Sequence, residues 1–177
     1  MLWRGMRPLA ALLPVVALAA APLAAQQAGG TPLSLGADIG MFAPFEGGSS
    51  SSFTARVTAD FYTWGPLGVR FAAGFANPQV GDEPFEGRAD MVYASAGLIR
   101  ELRDVHFRPY GHVGVGIYHL SGNSSGTQLG LSLGGGLQLP LSMRHLLLTP
   151  ELTGYLISGD APRFSLALTV GLHTRPE

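Results

Sequence analysis

Two residues of the segment 118–123, YHLSGN, have types and spacing that suit nucleophilic chemistry. His119 and Ser121 are two positions apart, and a serine hydroxyl beside a histidine base is a common covalent nucleophile. Such a histidine needs a third group, usually an acid, to orient it. The following segment, 127–141, has no Asp or Glu, and Asp160 lies beyond it. Two interpretations therefore stay open: a reactive pair, or ordinary polar residues where a loop begins.

The residue composition excludes several classes of functional site. The 177-residue chain has no cysteine, and all 11 of its Lys+Arg residues are arginine, which excludes disulfides, thiolate metal sites and Schiff-base lysines. The five histidines do not show the spacing of a zinc site. The formal net charge of −1 argues against a nucleic-acid partner. The sequence thus predicts neither a metal nor a cofactor.

Alternation of apolar residues with small or polar ones organises the chain from residue 33 onward. Adjacent residues of a β-strand face opposite sides, so a period of two indicates strands. Eight such segments follow one another, separated by turn-rich connections: 33–42, 52–62, 67–76, 88–100, 107–119, 128–141, 146–157 and 164–173. The segment 88–100 has apolar residues on both parities, so its faces stay unassigned. The pattern predicts an all-β, up-and-down series of hairpins.

The segment 128–141, QLGLSLGGGLQLPL, indicates which face meets water. Leucine occupies every second position from 129 to 141 except Gly135, and the other parity holds glycine, serine, glutamine and proline. A soluble barrel that buried these leucines would need long polar and charged side chains on its outer face. An eight-stranded membrane barrel instead needs small inward residues, because its interior is narrow. The pattern favours an eight-stranded antiparallel up-and-down transmembrane β-barrel, with a soluble barrel as the alternative.

Charged residues on the inward parity of this barrel form the candidate site. They are Asp38, Arg56, Asp60, Arg70 and Glu151. Because an unpaired charge is very costly to bury, we expect these three acids and two bases to pair across the lumen. The expected result is a structural ion-pair network that closes the lumen, and a gated ion or proton path is the alternative.

The first 25 residues belong to a different class of segment. Arg4 and Arg7 precede a short apolar run that ends in small residues, which is the layout of a cleaved secretory signal peptide. Three prolines interrupt this run, whereas a membrane-spanning helix needs about 20 apolar residues. We therefore expect a signal peptide over 1–25 and a barrel domain over 26–177.

This combination of features resembles the small outer-membrane β-barrels of the OmpA/OmpX type. The resemblance rests on the signal peptide, the eight alternating segments and glycine-rich strands such as YGHVGVGIYHL and LGLSLGGGLQL. It implies insertion in the cell outer membrane, both termini in the periplasm, and external connections near 44–51, 77–87, 121–126 and 158–163. The aromatic residue that commonly ends the last strand is missing, because FSLALTVGLH ends on His173.

The expected role is structural or surface-interactive, without catalytic residues. As partners we expect membrane lipid, lipopolysaccharide and the outer-membrane assembly machinery, and we expect a monomer. A small pore is the first alternative. A lipid-modifying enzyme is the second, because His119 and Ser121 resemble the His-x-Ser pattern of lipid A deacylases, in which serine is the nucleophile and histidine the base.

Overall fold

The computed structural model describes the part of the chain that forms the strands and several of their connections. The described residues are 32–45, 51–77, 79–80, 87–88, 90–102, 107–121, 126–143, 145–159 and 164–174. The expected signal peptide over 1–25 lies outside them and stays a prediction. Among the described residues, no helix has the length and apolar character that crossing a membrane requires.

Eight long strands build the molecule, and each corresponds to one of the eight alternating segments. They are β1 Leu33–Pro44, β2 Ser52–Trp64, β3 Leu67–Ala76, β4 Asp90–Glu101, β5 Arg108–Ser121, β6 Gly126–Pro140, β7 Leu146–Ile157 and β8 Phe164–Thr174. A separate two-stranded ribbon, Gln79–Val80 with Gly87–Arg88, lies between β3 and β4 in the chain.

Antiparallel pairing of β1 with β8 closes the sheet into a barrel. Every other barrel strand pairs with its neighbours in the chain. At the seam, Gly36 lies opposite His173 and Met41 lies opposite Leu168. Closure leaves no strand edge unpaired, which a sheet within a bilayer requires. The predicted eight-stranded antiparallel up-and-down barrel is confirmed.

The two ends of the barrel differ in their connections. At one end lie Leu33, Thr174 and the two-residue turn Gly65–Pro66, and we call it the turn end. Gly65 has a φ of 64°, a region that glycine enters without steric strain. The opposite end, where β1, β3, β5 and β7 finish at Pro44, Ala76, Ser121 and Ile157, we call the loop end.

Leucines of the segment 128–141 form part of the outer wall. Leu129, Leu131 and Leu133 are 68%, 51% and 69% exposed, whereas Ser132 between them is 6% exposed. The other strands also turn apolar residues outward, and their inward positions hold small or polar residues together with some large side chains that fill the lumen. The wall is therefore apolar on its outside, as a lipid environment demands.

Strand β4 corresponds to the segment whose faces the sequence left unassigned. Met91, Tyr93 and Ile99 are buried in the lumen, whereas Val92 and Leu98 are about half exposed on the outer wall. Large apolar residues stand on both faces of this strand because it helps to fill the interior. Hydrophobicity alone could not distinguish those two environments.

Aromatic and aliphatic side chains fill both ends of the lumen. Towards the loop end, one buried cluster comprises Phe42, Ala76, Met91, Tyr93, Tyr118, Leu120, Tyr155, Ile157 and Ala167. Within it the rings of Tyr93 and Tyr118 stack with centroids 5.6 Å apart. Towards the turn end, a smaller cluster comprises Tyr62, Ile99 and Tyr110. The five charged residues that the sequence placed on the inward parity lie between these two clusters.

Candidate functional site

The candidate site consists of the five charged residues that the sequence placed on the inward parity, which the barrel brings together in the lumen. Asp38 comes from β1, Arg56 and Asp60 from β2, Arg70 from β3, and Glu151 from β7. All five are at most 5% exposed. Strand register already places them in pairs, because Asp38 lies opposite Arg56 and Asp60 lies opposite Arg70.

Glu151 joins the two arginines from the other side of the barrel. Its Oε1 accepts a hydrogen bond of 2.6 Å from Nη1 of Arg56. Its Oε2 accepts one of 2.7 Å from Nη1 of Arg70. One carboxylate therefore holds two guanidinium groups that reach across the lumen from neighbouring strands.

Each arginine also has an aspartate of its own. Arg56 donates from Nε to Asp38 Oδ2 over 3.0 Å. Arg70 donates from Nε to Asp60 Oδ1 over 2.7 Å and from Nη2 to Asp60 Oδ2 over 2.9 Å. The second pair is a two-pronged contact between the planar guanidinium and the carboxylate, which is a strong form of ion pair.

Polar neighbours that the sequence did not assign to the site complete the bonding of Glu151. Tyr110 donates from its hydroxyl to Oε2 over 2.6 Å, and Thr153 donates to Oε1 over 2.6 Å. His112 Nε2 lies 3.1 Å from Oε1 and must be the donor there, because a carboxylate only accepts. The signal that could have found His112 is its parity, which places it on the inward face of β5.

A second histidine contacts Asp38 where β1 and β8 pair to close the barrel. His173 Nε2 lies 2.9 Å from Asp38 Oδ1, although the two residues are 135 positions apart in the chain. The pairing depends on closure between β1 and β8, so no local pattern could reveal it. A further buried contact, from Gln138 Nε2 to Glu101 Oε1 over 2.8 Å, joins two more inward residues.

Glycines make room for these inward side chains. A Cβ atom on Gly36 would collide with the ring of His173, and one on Gly134 would collide with the ring of His112. A Cβ atom on Gly171 would collide with the carboxylate of Asp38. The glycine-rich inner face of the strands is therefore the space that the charged network occupies.

Very little free volume adjoins the network. A cavity of about 10 Å³ is lined by residues that include Arg56, Arg70, His112 and Ser132. Such a volume holds about one water molecule, provided that polar partners surround it. The lumen at this level is thus occupied by side chains.

His119 and Ser121, the candidate reactive pair, lie on the outer wall near the loop end and are exposed. His119 Nδ1 lies 3.0 Å from the hydroxyl of Thr127. Ser121 donates from its hydroxyl to the backbone carbonyl of Asp90 over 3.1 Å. Asp90, which lies opposite Ser121, accepts instead from Asn77 Nδ2 over 2.6 Å. The histidine, the serine and the nearby acid therefore each form a hydrogen bond with a group other than one another's side chains.

Metal ligands do not cluster in the described part of the chain. No three His, Cys, Asp or Glu side chains there are grouped so that they could hold a metal ion.

Comparisons with solved structures find the same fold in other outer-membrane proteins. Neisserial surface protein A is 17% identical over 80% of this chain and 96% of its own, with a TM-score of 0.64. A major outer membrane protein from Thermus thermophilus is 18% identical over 82% of this chain and 99% of its own, with a TM-score of 0.66. The outer membrane enzyme PagL is 15% identical over 79% of this chain and 97% of its own, with a TM-score of 0.51. At these identities the similarity shows the fold alone.

Sequence comparisons bear on the family directly. No match is found among curated protein sequences. The family model described as outer membrane protein beta-barrel domain matches residues 10–172, which is most of the chain. The chain therefore belongs to the outer membrane protein beta-barrel domain family, and its eight-stranded barrel lies in the outer membrane.

Proposed function

We propose that this barrel is a sealed structural or surface-interaction protein of the outer membrane and does not conduct solutes. The observation that carries the proposal is the position of Glu151, which holds Arg56 and Arg70 together across the lumen. Two arginines and three carboxylates fill the cross-section at that level. The buried clusters on either side of them add further side chains to the lumen.

Energetics support a permanent closure by these residues. Removing a carboxylate or a guanidinium from water is costly, and the cost is offset only when the partners meet in good geometry. Here each guanidinium contacts two carboxylates, and Glu151 also accepts from Tyr110 and Thr153. An ion passing through would have to break several of these contacts at once. The proposed role is therefore closure, and the alternative of a small pore is disfavoured.

Contacts of His119 and Ser121 favour the non-enzymatic role. The two side chains bond to Thr127 and to the backbone of Asp90 respectively. A serine nucleophile needs a base within hydrogen-bond reach. The lipid-modifying enzyme is therefore the less supported alternative, although one solved outer-membrane barrel of this fold is an enzyme.

Exposed aromatic pairs support contacts of the loop end with membrane lipid and lipopolysaccharide. Phe45 and Phe164 lie with ring centroids 5.4 Å apart, and Phe53 and Phe75 lie 5.9 Å apart. Aromatic girdles of this kind mark the interfaces of membrane barrels. We further propose that the turn end faces the periplasm, that the assembly machinery inserts the chain, and that the barrel is a monomer without nucleic-acid partners.

Single-channel recording in planar bilayers tests the proposed closure. The refolded, full-length mature protein is added to the bilayer, and its heat-modifiable gel mobility serves as the check of folding. We expect no steady conductance above that of the bare membrane, while a known porin in the same chamber conducts. A large steady conductance from the folded protein would refute the closed lumen and favour the pore.

A further inference from the structure

A groove of about 770 Å³ crosses the outer wall near the turn end. Gly111 on β5 lines it, together with the outward residues Leu98, Val113 and Leu133. Gly111 lies directly opposite Gly135, the one glycine that interrupts the leucines of 128–141. Two neighbouring outward positions thus lack a side chain on a face that is otherwise leucine and valine.

Packing within the barrel does not explain the glycine at position 111 of the groove. A Cβ atom on Gly111 would meet only the carbonyl oxygen of Gly134, at an ordinary contact distance of 3.7 Å. This differs from the inward Gly134, where a Cβ atom would collide with His112 and Thr153. At Gly135 a Cβ atom would lie closer, 3.0 Å from the carbonyl oxygen of Tyr110. The missing side chain at Gly111 is therefore not a by-product of crowding in the lumen.

An exposed arginine lies beside this recess. Arg100 is paired across the strands with Gly111, and it lines the same groove. Leu98 and Leu102, which are 48% and 53% exposed, flank it along the chain. No ion pair joins its guanidinium to any residue in the part of the chain that the structure describes.

An arginine that faces lipid requires an anionic partner or an aqueous one. The cost of such a residue is greatest at the bilayer midplane and falls towards the interface, where the long side chain can reach the headgroups. Phosphate suits guanidinium well, because its oxygens can accept two parallel hydrogen bonds. The partner therefore has a phosphate at the level of Arg100 and an apolar body that can lie on the glycines.

We infer that this groove binds one anionic phospholipid, with its phosphate on Arg100 and an acyl chain across Gly111. A single arginine matches a single phosphodiester, whereas lipid A carries several acyl chains and more than one phosphate. The occupant is thus a phospholipid of the leaflet at the turn end. This inference goes beyond the proposed closure of the lumen and does not depend on it.

Native mass spectrometry of the folded protein in mild detergent tests the inference. The probes are phosphatidylglycerol and phosphatidylcholine with identical acyl chains, with lipid A as a third arm. We expect a single bound phosphatidylglycerol, preferred over phosphatidylcholine by about tenfold. Both lipids offer a phosphate, but the choline cation of phosphatidylcholine offsets the phosphate charge that Arg100 would meet.

Four variants locate the site. Arg100→Gln should abolish the preference for phosphatidylglycerol, whereas Arg100→Lys should keep part of it. Gly111→Leu should fill the groove and reduce binding of both phospholipids. The matched control is Ala94→Leu, an outward change on β4, the strand of Arg100. Ala94 lines a different groove, so this variant should leave binding unchanged. Heat-modifiable mobility confirms that each variant is folded.

Several outcomes would overturn the inference. Equal binding of the two phospholipids by the unaltered protein would remove the role of the charge. Unchanged selectivity in Arg100→Gln would place the lipid elsewhere. A preference for lipid A, or a dimer that Gly111→Leu dissociates, would assign the groove to another occupant.

Discussion

Glu151 is the residue on which the lumen network depends most. It accepts hydrogen bonds from Arg56, Arg70, Tyr110 and Thr153, all of which are buried. Each bond to an ionised acceptor contributes more than a neutral one, and a buried donor that loses its acceptor is costly. The stability of the barrel should therefore be sensitive to this single side chain.

Glu151→Gln should lower the free energy of unfolding by roughly 3–5 kcal/mol, the range for breaking a buried ion pair by changing one partner. The amide keeps one acceptor oxygen, but its NH₂ group then faces donors. Denaturant titration of the protein in lipid vesicles measures the change. Thr149→Val is the matched control on the same strand, because Thr149 Oγ1 is buried without a hydrogen-bond partner among the described residues.

That control should leave stability unchanged or raise it, because it removes a buried hydroxyl without a partner among the described residues. If Glu151→Gln unfolded at the same denaturant concentration as the unaltered protein, the network would not stabilise the barrel.

Residues of the site differ in how far the sequence could predict them. Alternation places Asp38, Arg56, Asp60, Arg70 and Glu151 on the inward parity, since parity follows from strand geometry alone. Parity does not give the height of a residue in the lumen, which depends on the register between strands. The contacts of His112 and His173 with the acids therefore could not be predicted from their positions in the chain.

At the scale of the strand, β6 shows how one sequence serves two environments. Its leucines face outward, and its inward residues are mostly glycine, serine or glutamine. Gly134 is required because His112 and Thr153 occupy the space beside it, whereas Gly111 on β5 faces the open outer wall. Gly111 thus has room for a side chain, whereas Gly134 on the adjacent strand does not.

A pair of alanine substitutions tests this difference. Gly134→Ala should destabilise the barrel by about 1–3 kcal/mol, the usual cost of inserting a group into a packed interior. Gly111→Ala should be neutral or slightly stabilising, because glycine weakens a strand through its backbone entropy. Denaturant titration in vesicles measures both variants. Equal costs at the two positions would contradict the assignment of inner and outer faces.

Strand positions were more predictable than the faces of every strand. In seven of the eight segments, one parity is mostly small or polar residues and the other is mostly apolar, with leucine, valine or phenylalanine prominent. Strand β4 does not, because Met91, Tyr93 and Ile99 are lumen-filling residues. Its faces became clear only when pairing with β3 and β5 fixed which parity points inward.

At the scale of the whole molecule, the barrel has its apolar surface outside and its charges inside. This inverts the arrangement of a soluble barrel, in which charged and long polar side chains face water. The composition of the inner face, small residues with a few charges, is what distinguished the two from sequence. Membership of the outer membrane protein beta-barrel domain family agrees with the membrane arrangement.

The absence of cysteine from the chain allows a direct test of this arrangement. Single-cysteine variants Leu131→Cys and Ser132→Cys place one thiol on the outer wall and one in the lumen. Each folded variant, in lipid vesicles, is exposed to a small charged methanethiosulfonate reagent, and the rate of labelling is compared with that of the unfolded protein. We predict that both thiols react slowly when folded and rapidly when unfolded, because one faces lipid and the other lies in a filled lumen. Rapid labelling of Ser132→Cys in the folded barrel would contradict the sealed lumen, since it would require water beside the inward residues.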